Sequence, residues 1–181
     1  MKHLLIPVVL ILTVSSLAKA EEASDRVKEG STSIGVFFDG GIGSTFSSSV
    51  QYFVSQNLFL KGGVSTFQSS ITSNGVSEDI KSTVFDFGFG EAMAINKYTV
   101  ASLTATYEYY FYDDSSGGTS FAGSENLNGF GLGAYVEFFL NPRSSLGIGL
   151  AYRSFSGTYR DTNSTFSGNT TGLTTGWKFY F

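Results

Sequence analysis

Thr174-Thr175-Gly176-Trp177-Lys178-Phe179-Tyr180-Phe181 alternates in character residue by residue, the pattern of a strand with two unlike faces. Trp177, Phe179 and Phe181 share one side; Gly176, Lys178 and Tyr180 share the other. An aromatic face ending on an exposed phenylalanine suits a strand whose outside meets lipid near the bilayer boundary, with its charge turned inward. If the tail is one stave of a barrel, the rest of the chain must supply the others and a route to the membrane.

The opposite end supplies the route. Lys2 and His3 make a short basic start, Leu4 to Val14 an apolar run interrupted by Pro7, and Ala18-Lys19-Ala20 a small-x-small cleavage site at Ala18 and Ala20. Residues 1–20 are expected to be a secretory signal peptide, because the run is shorter than the ~20 residues a membrane helix needs. Residues 21–30 lack alternation and read as a short polar periplasmic lead-in, and 31–181 as one barrel domain. Cleavage leaves 161 residues with 9 basic and 15 acidic side chains, net −6, and removes the only histidine. An acidic chain without a basic cluster excludes nucleic acid as partner. The absence of cysteine excludes disulfides, thiolate metal sites and a lipid-modified cysteine. With 22 Gly, 18 Phe and 10 Tyr against 2 Pro, the vocabulary is that of strands and turns. Lipid admits such a chain only as a closed barrel.

Alternation marks eight segments: Thr32 to Asp39, Thr45 to Ser55, Leu58 to Phe67, Ile80 to Ala94, Tyr98 to Tyr112, Asn128 to Leu140, Ser144 to Thr158 and Thr170 to Phe181. The fifth is clearest, with Ala101, Leu103, Ala105, Tyr107, Tyr109 and Phe111 opposing Ser102, Thr104, Thr106, Glu108 and Tyr110. In the sixth, Phe130, Leu132, Val136 and Phe138 oppose Gly129, Gly131, Gly133 and Glu137, so bulk lies outside and glycine inside a narrow interior. Gln56-Asn57, Asn96-Lys97 and Asn141-Pro142-Arg143 read as tight turns, whereas Gln68 to Asp79, Asp113 to Leu127 and Tyr159 to Asn169 read as long polar loops; the first loop, Gly40 to Ser44, is short. The expected fold is all-β, an eight-stranded antiparallel up-and-down transmembrane barrel with both termini periplasmic.

Charges test the face assignment. Lys61, Asp86, Glu108, Glu137, Arg153 and Lys178 fall inward, while Glu91 continues the outer face of Phe85, Phe87 and Phe89 and requires either a bulge or a place at the rim. A tilted strand climbs roughly 2.5 Å per residue. Distance from the tight turns therefore predicts two lumen layers of mixed sign, Lys61/Glu137/Lys178 below and Asp86/Glu108/Arg153 above, with Tyr110, Tyr135 and Tyr180 adding bulk to a plugged interior.

Catalytic chemistry is hard to place. A mature chain without histidine lacks the usual general base of lipid-modifying small barrels, so no enzyme is expected. Asp113-Asp114 and Glu78-Asp79 do not make up the oxygen-ligand run that calcium needs, and Gly88-Phe89-Gly90 and Gly131-Leu132-Gly133 precede no helix that could hold a phosphate. No metal or cofactor is expected. Asn163-Ser164-Thr165 and Asn169-Thr170-Thr171 read as turn-forming polar residues. Phe121 and Phe166 stand out in polar loops, either packing over the mouth or meeting a ligand.

The last eight residues also resemble the C-terminal assembly signal of bacterial outer-membrane barrels, in words polar, any, glycine, any, any, hydrophobic, any, aromatic; Thr174, Gly176, Phe179 and Phe181 fill its places. Across 31–181, strand count and turn alternation resemble the small eight-stranded outer-membrane proteins of the Ail/OmpX, OmpA-barrel and OmpW type. The resemblance implies a monomer in contact with outer-membrane lipid and lipopolysaccharide, delivered by periplasmic chaperones and the barrel assembly machinery, with a host or phage surface as loop ligand. Surface or structural duty comes first among its implied roles. A narrow channel for small or apolar solutes is the alternative, and no OmpA-like cell-wall tether is expected. A secreted lipocalin-like barrel is a third reading, disfavoured because charges alternate inward and the Gly-x-Trp of the first strand is missing.

Overall fold

The computed structural model describes residues 27–41, 43–73, 76–112, 124–159 and 165–181. Ala18 and Ala20, with the whole signal segment, lie outside the described residues. Eight strands follow one another: β1 (Thr32–Gly41), β2 (Gly43–Phe53), β3 (Leu58–Ser73), β4 (Val76–Asn96), β5 (Thr99–Tyr112), β6 (Ser124–Asn141), β7 (Ser144–Tyr159) and β8 (Thr165–Tyr180). Each pairs antiparallel with the next, and β8 returns to β1 from Ser33↔Tyr180 to Gly40↔Leu173, closing an all-β up-and-down barrel.

The alternation decides which side is out. Along β5, Tyr107, Tyr109 and Phe111 are exposed, whereas Val100, Ser102, Thr104, Thr106 and Glu108 are buried. The outer belt is apolar all round, from Phe38 and Phe46 through Leu60, Phe87, Phe130, Ile148 and Leu173 to Trp177. From Ala101 to Phe111 it rises about 25 Å at roughly 2.5 Å per residue, the height of a hydrocarbon layer. No helix among the described residues is long and apolar enough to cross a membrane.

Tight turns close one end by side-chain capture of the backbone. The Asn96 carboxamide oxygen accepts the Tyr98 N–H at 2.9 Å, and that of Asn141 accepts the Arg143 N–H at 2.9 Å. Register shifts at Ala94/Asn96 and Phe139/Asn141 bring each asparagine into place.

Two expectations are corrected here. Much of what read as long loop is ladder: β3 and β4 stay paired from Ser69↔Ile80 to Ser73↔Val76, and β7 and β8 to Thr158↔Thr165. A ladder is made by backbone groups, so beyond the apolar belt strands continue without the alternation that reveals them. The lead-in is not wholly polar either. Val27 is buried among Phe53, Phe59, Ala92, Val100, Phe139 and Tyr180, an apolar floor at the tight-turn end. Gly30, at φ +85°, turns the chain there and donates its N–H to the Phe53 carbonyl at 2.9 Å.

Candidate functional site

Directly above the apolar floor, the Glu137 carboxylate gathers three donors: the Lys178 ammonium, the Tyr180 hydroxyl at 2.6 Å and the Ser145 hydroxyl at 3.0 Å. Both charges are nearly sealed, with Lys178 4% and Glu137 2% exposed. Such a pair offsets its desolvation only when its remaining hydrogen-bonding capacity is filled, which the tyrosine and serine accomplish on the carboxylate. The Lys178 ammonium also lies 5.7 Å from the centre of the Phe37 ring, which tilts against Tyr135 at 6.1 Å.

Higher up, Asp86 and Glu108 stand directly opposite each other on β4 and β5. Like charges in that position repel unless each has its own cation. Lys61 meets Asp86 at 2.8 Å, and Arg153 meets Glu108 at 3.2 Å and Asp39 at 3.1 Å. The Tyr110 hydroxyl donates to Glu108 at 2.6 Å. Glycines make room for these carboxylates. A Cβ at Gly63 would sit 2.5 Å from an Asp86 oxygen, and one at Gly131 2.6 Å from a Glu108 oxygen.

The six inward charges anticipated from sequence therefore all face the lumen, but not in the expected groups. Lys61 does not join Glu137 and Lys178; the register sets it opposite Gly88, one inward step from Asp86, within reach of a lysine stem. Asp39 belongs to the upper group and was not anticipated. Glu91 is exposed on the outer face, opposite Leu58 and Leu103 with no bulge before it, and so lies at the tight-turn rim. Thr174 and Gly176 point inward, Phe179 and Phe181 outward. Phe121 lies outside the described residues, as does the side chain of Phe166.

Water-sized space survives between the charge groups, about 30 Å³ measured over the positions water centres can occupy, bounded by Asp39, Ser49, Gln51, Asp86, Thr104 and Arg153 among others. That is room for one or two waters. Among the described residues the buried hydroxyls of Ser49, Ser65, Ser82 and Ser102, all on β2 to β5, have no protein partner, and that of Ser49 borders this space. Among the described residues no group of three or more acids or histidines is placed to hold a metal. Among the described residues the arrangement holds its lumen charges in pairs of opposite sign.

No family model matches the chain, and no curated protein matches it. Solved structures do. The outer membrane protein OprG of Pseudomonas aeruginosa is 11% identical, with 85% of this chain and 97% of that one covered at a TM-score of 0.57. Neisserial surface protein A is 13% identical over 83% and 95%, at a TM-score of 0.58. Ail, the attachment invasion locus protein of Yersinia pestis, is 17% identical over 84% and 99%, at a TM-score of 0.50. Across nearly the full length of each of these barrels, the chain has the fold of the small eight-stranded outer-membrane proteins.

Proposed function

We propose that this is a non-catalytic integral outer-membrane protein with a plugged, charge-paired lumen, serving the cell surface through the end opposite its tight turns. The observation that carries it is the inversion of a soluble protein's pattern: an apolar belt outside, ion pairs inside. A lipocalin-type barrel needs the reverse, an apolar interior for its ligand. The fold neighbours include a protein named a surface protein and one named for attachment and invasion, which supports surface duty by analogy of fold alone. Lipid and lipopolysaccharide are the partners of the belt, and both termini face the periplasm. Because the chain has no cysteine, single cysteines report orientation. In intact cells a membrane-impermeant maleimide is expected to label Asn163→Cys, and Asn57→Cys only after permeabilisation; the opposite result reverses the assignment.

The narrow channel keeps one observation in its favour, the water-sized space beside Asp39 and Asp86. Planar-bilayer recordings decide: the plugged reading expects no steady conductance. Thr174, Gly176, Phe179 and Phe181 serve as the assembly signal, so Phe181→Ala is expected to slow membrane insertion several-fold, seen as unfolded precursor in a pulse-chase, with folded barrels of unchanged stability.

A further inference from the structure

Among the described side chains, Glu91 is the one charge on the outer belt, where it continues the face of Phe85, Phe87 and Phe89 on β4 and is exposed. It cannot turn inward. Gly90 before it is buried, and a Cβ in its place would collide with the Phe59 ring. Ala92 after it is 2% exposed in the apolar floor and donates its N–H to the Asn57 carbonyl at 2.8 Å. With both neighbours fixed inward and no register shift on β4 before Ala94, the pleat holds the carboxylate outward.

The wall around it is apolar. Phe89 lies above it and Met93 below on β4, Leu58 stands opposite on β3 and Leu103 opposite on β5. A carboxylate bordered by lipid is costly unless a cation or hydrogen-bond donors meet it. These four neighbours supply neither, so the partner comes from the medium around the barrel.

Height selects the medium. Leu103 lies one outward step above Ala101, from which the belt rises, so Glu91 sits at the belt's lower edge, where acyl chains give way to headgroups. Ala101 faces outward yet is only 8% exposed, because larger neighbours shade it, and the wall therefore dips beside the carboxylate. A short headgroup arm can lie in that dip.

Headgroups differ in what they bring. A primary ammonium carries a positive charge and three N–H donors, and a hydrogen bond between ionised groups is roughly twice as strong as a neutral one. A trimethylammonium has no N–H to donate, and a glycerol headgroup leaves the negative phosphate uncompensated beside the carboxylate.

We propose that Glu91 is a lipid-selecting site whose carboxylate binds the primary ammonium of phosphatidylethanolamine in the periplasmic leaflet. The proposal rests on the reading that the belt lies in lipid with its tight turns toward the periplasm, and it names the lipid class that this edge selects.

Native mass spectrometry of the full barrel, refolded in detergent and given lipids of identical acyl chains, reads the selection. One phosphatidylethanolamine is expected to stay bound per barrel after loosely held lipid is released, retained about tenfold over phosphatidylcholine. The N-methyl and N,N-dimethyl headgroups are expected to fall between the two, and phosphatidylglycerol no higher than phosphatidylcholine. Glu91→Gln is expected to bring phosphatidylethanolamine down to the phosphatidylcholine level, whereas Glu29→Gln, at an exposed acid of the lead-in, keeps the wild-type preference. Both variants are expected to retain the heat-dependent gel shift of a folded barrel, and the headgroup series on the wild type decides even where a variant does not fold. Equal retention of the two lipids by the wild type, a preference that survives Glu91→Gln, or a Glu91-dependent dimer that excludes the lipid overturns the proposal. A wild-type chain with no heat shift overturns the membrane-barrel reading and this proposal with it.

Discussion

Each lumen carboxylate that matters lies over a glycine or among donors, so charge and space were placed together. Asp86 occupies the room left by Gly63, Glu108 that left by Gly131, and Glu137 is ringed by Lys178, Tyr180 and Ser145. Removing the cation of the sealed pair leaves a buried charge with only neutral donors. Lys178→Met is therefore expected to lower stability by about 3 kcal/mol in urea unfolding of the refolded barrel, and Lys178→Met/Glu137→Gln to recover part of it. A double variant no more stable than the single would contradict that account. At this scale the sequence was legible wherever faces alternate cleanly. Asp39 escaped because Val36-Phe37-Phe38 reads as a continuous apolar run, while Phe37 in fact turns inward and is 8% exposed. The Lys61 grouping failed for another reason: height estimated from turns locates a backbone, and a lysine stem reaches a neighbouring level.

Strands were legible by existence and not by length. Inside the belt, lipid on one side and a narrow lumen on the other enforce a period of two, and every strand announces itself. Beyond it, Ser, Thr, Gly and Asn on β3, β4 and β8 can pair or loop equally well, and only the register shows that they pair. Val27 was unreadable because one apolar residue between charged neighbours has no period. The two faces of a single hairpin give a direct check. Gly62, on the outer face of β3, has open space where a Cβ would go; on the neighbouring strand Gly88 faces inward, where a Cβ would lie 2.7 Å from the Thr106 Cα and collide with the Ala105 carbonyl. Gly62→Ala is expected to change unfolding free energy by less than about 0.5 kcal/mol, and Gly88→Ala to cost about 1–3 kcal/mol. Equal effects would mean the faces are misassigned.

At the scale of the whole molecule, the barrel is stratified from an apolar floor through the Glu137–Lys178 pair to the Asp86 and Glu108 pairs, inside an apolar belt about 25 Å high. The belt has no role in water, and the interior needs the closed wall to keep its charges paired. The fold, and which residues of the belt face in or out, follow from the sequence because an apolar outer face and a narrow lumen impose a period of two on every strand. What the open rim binds does not, because nothing there imposes a period. The account stands on the closed barrel residing in a membrane. Fractionation of cells producing the full chain, followed by electrophoresis with and without boiling, measures both at once. The account predicts that the mature protein occurs only in the outer-membrane fraction and that its mobility shifts on heating. A mature product confined to the soluble fraction, or one whose mobility is indifferent to heat, would contradict it.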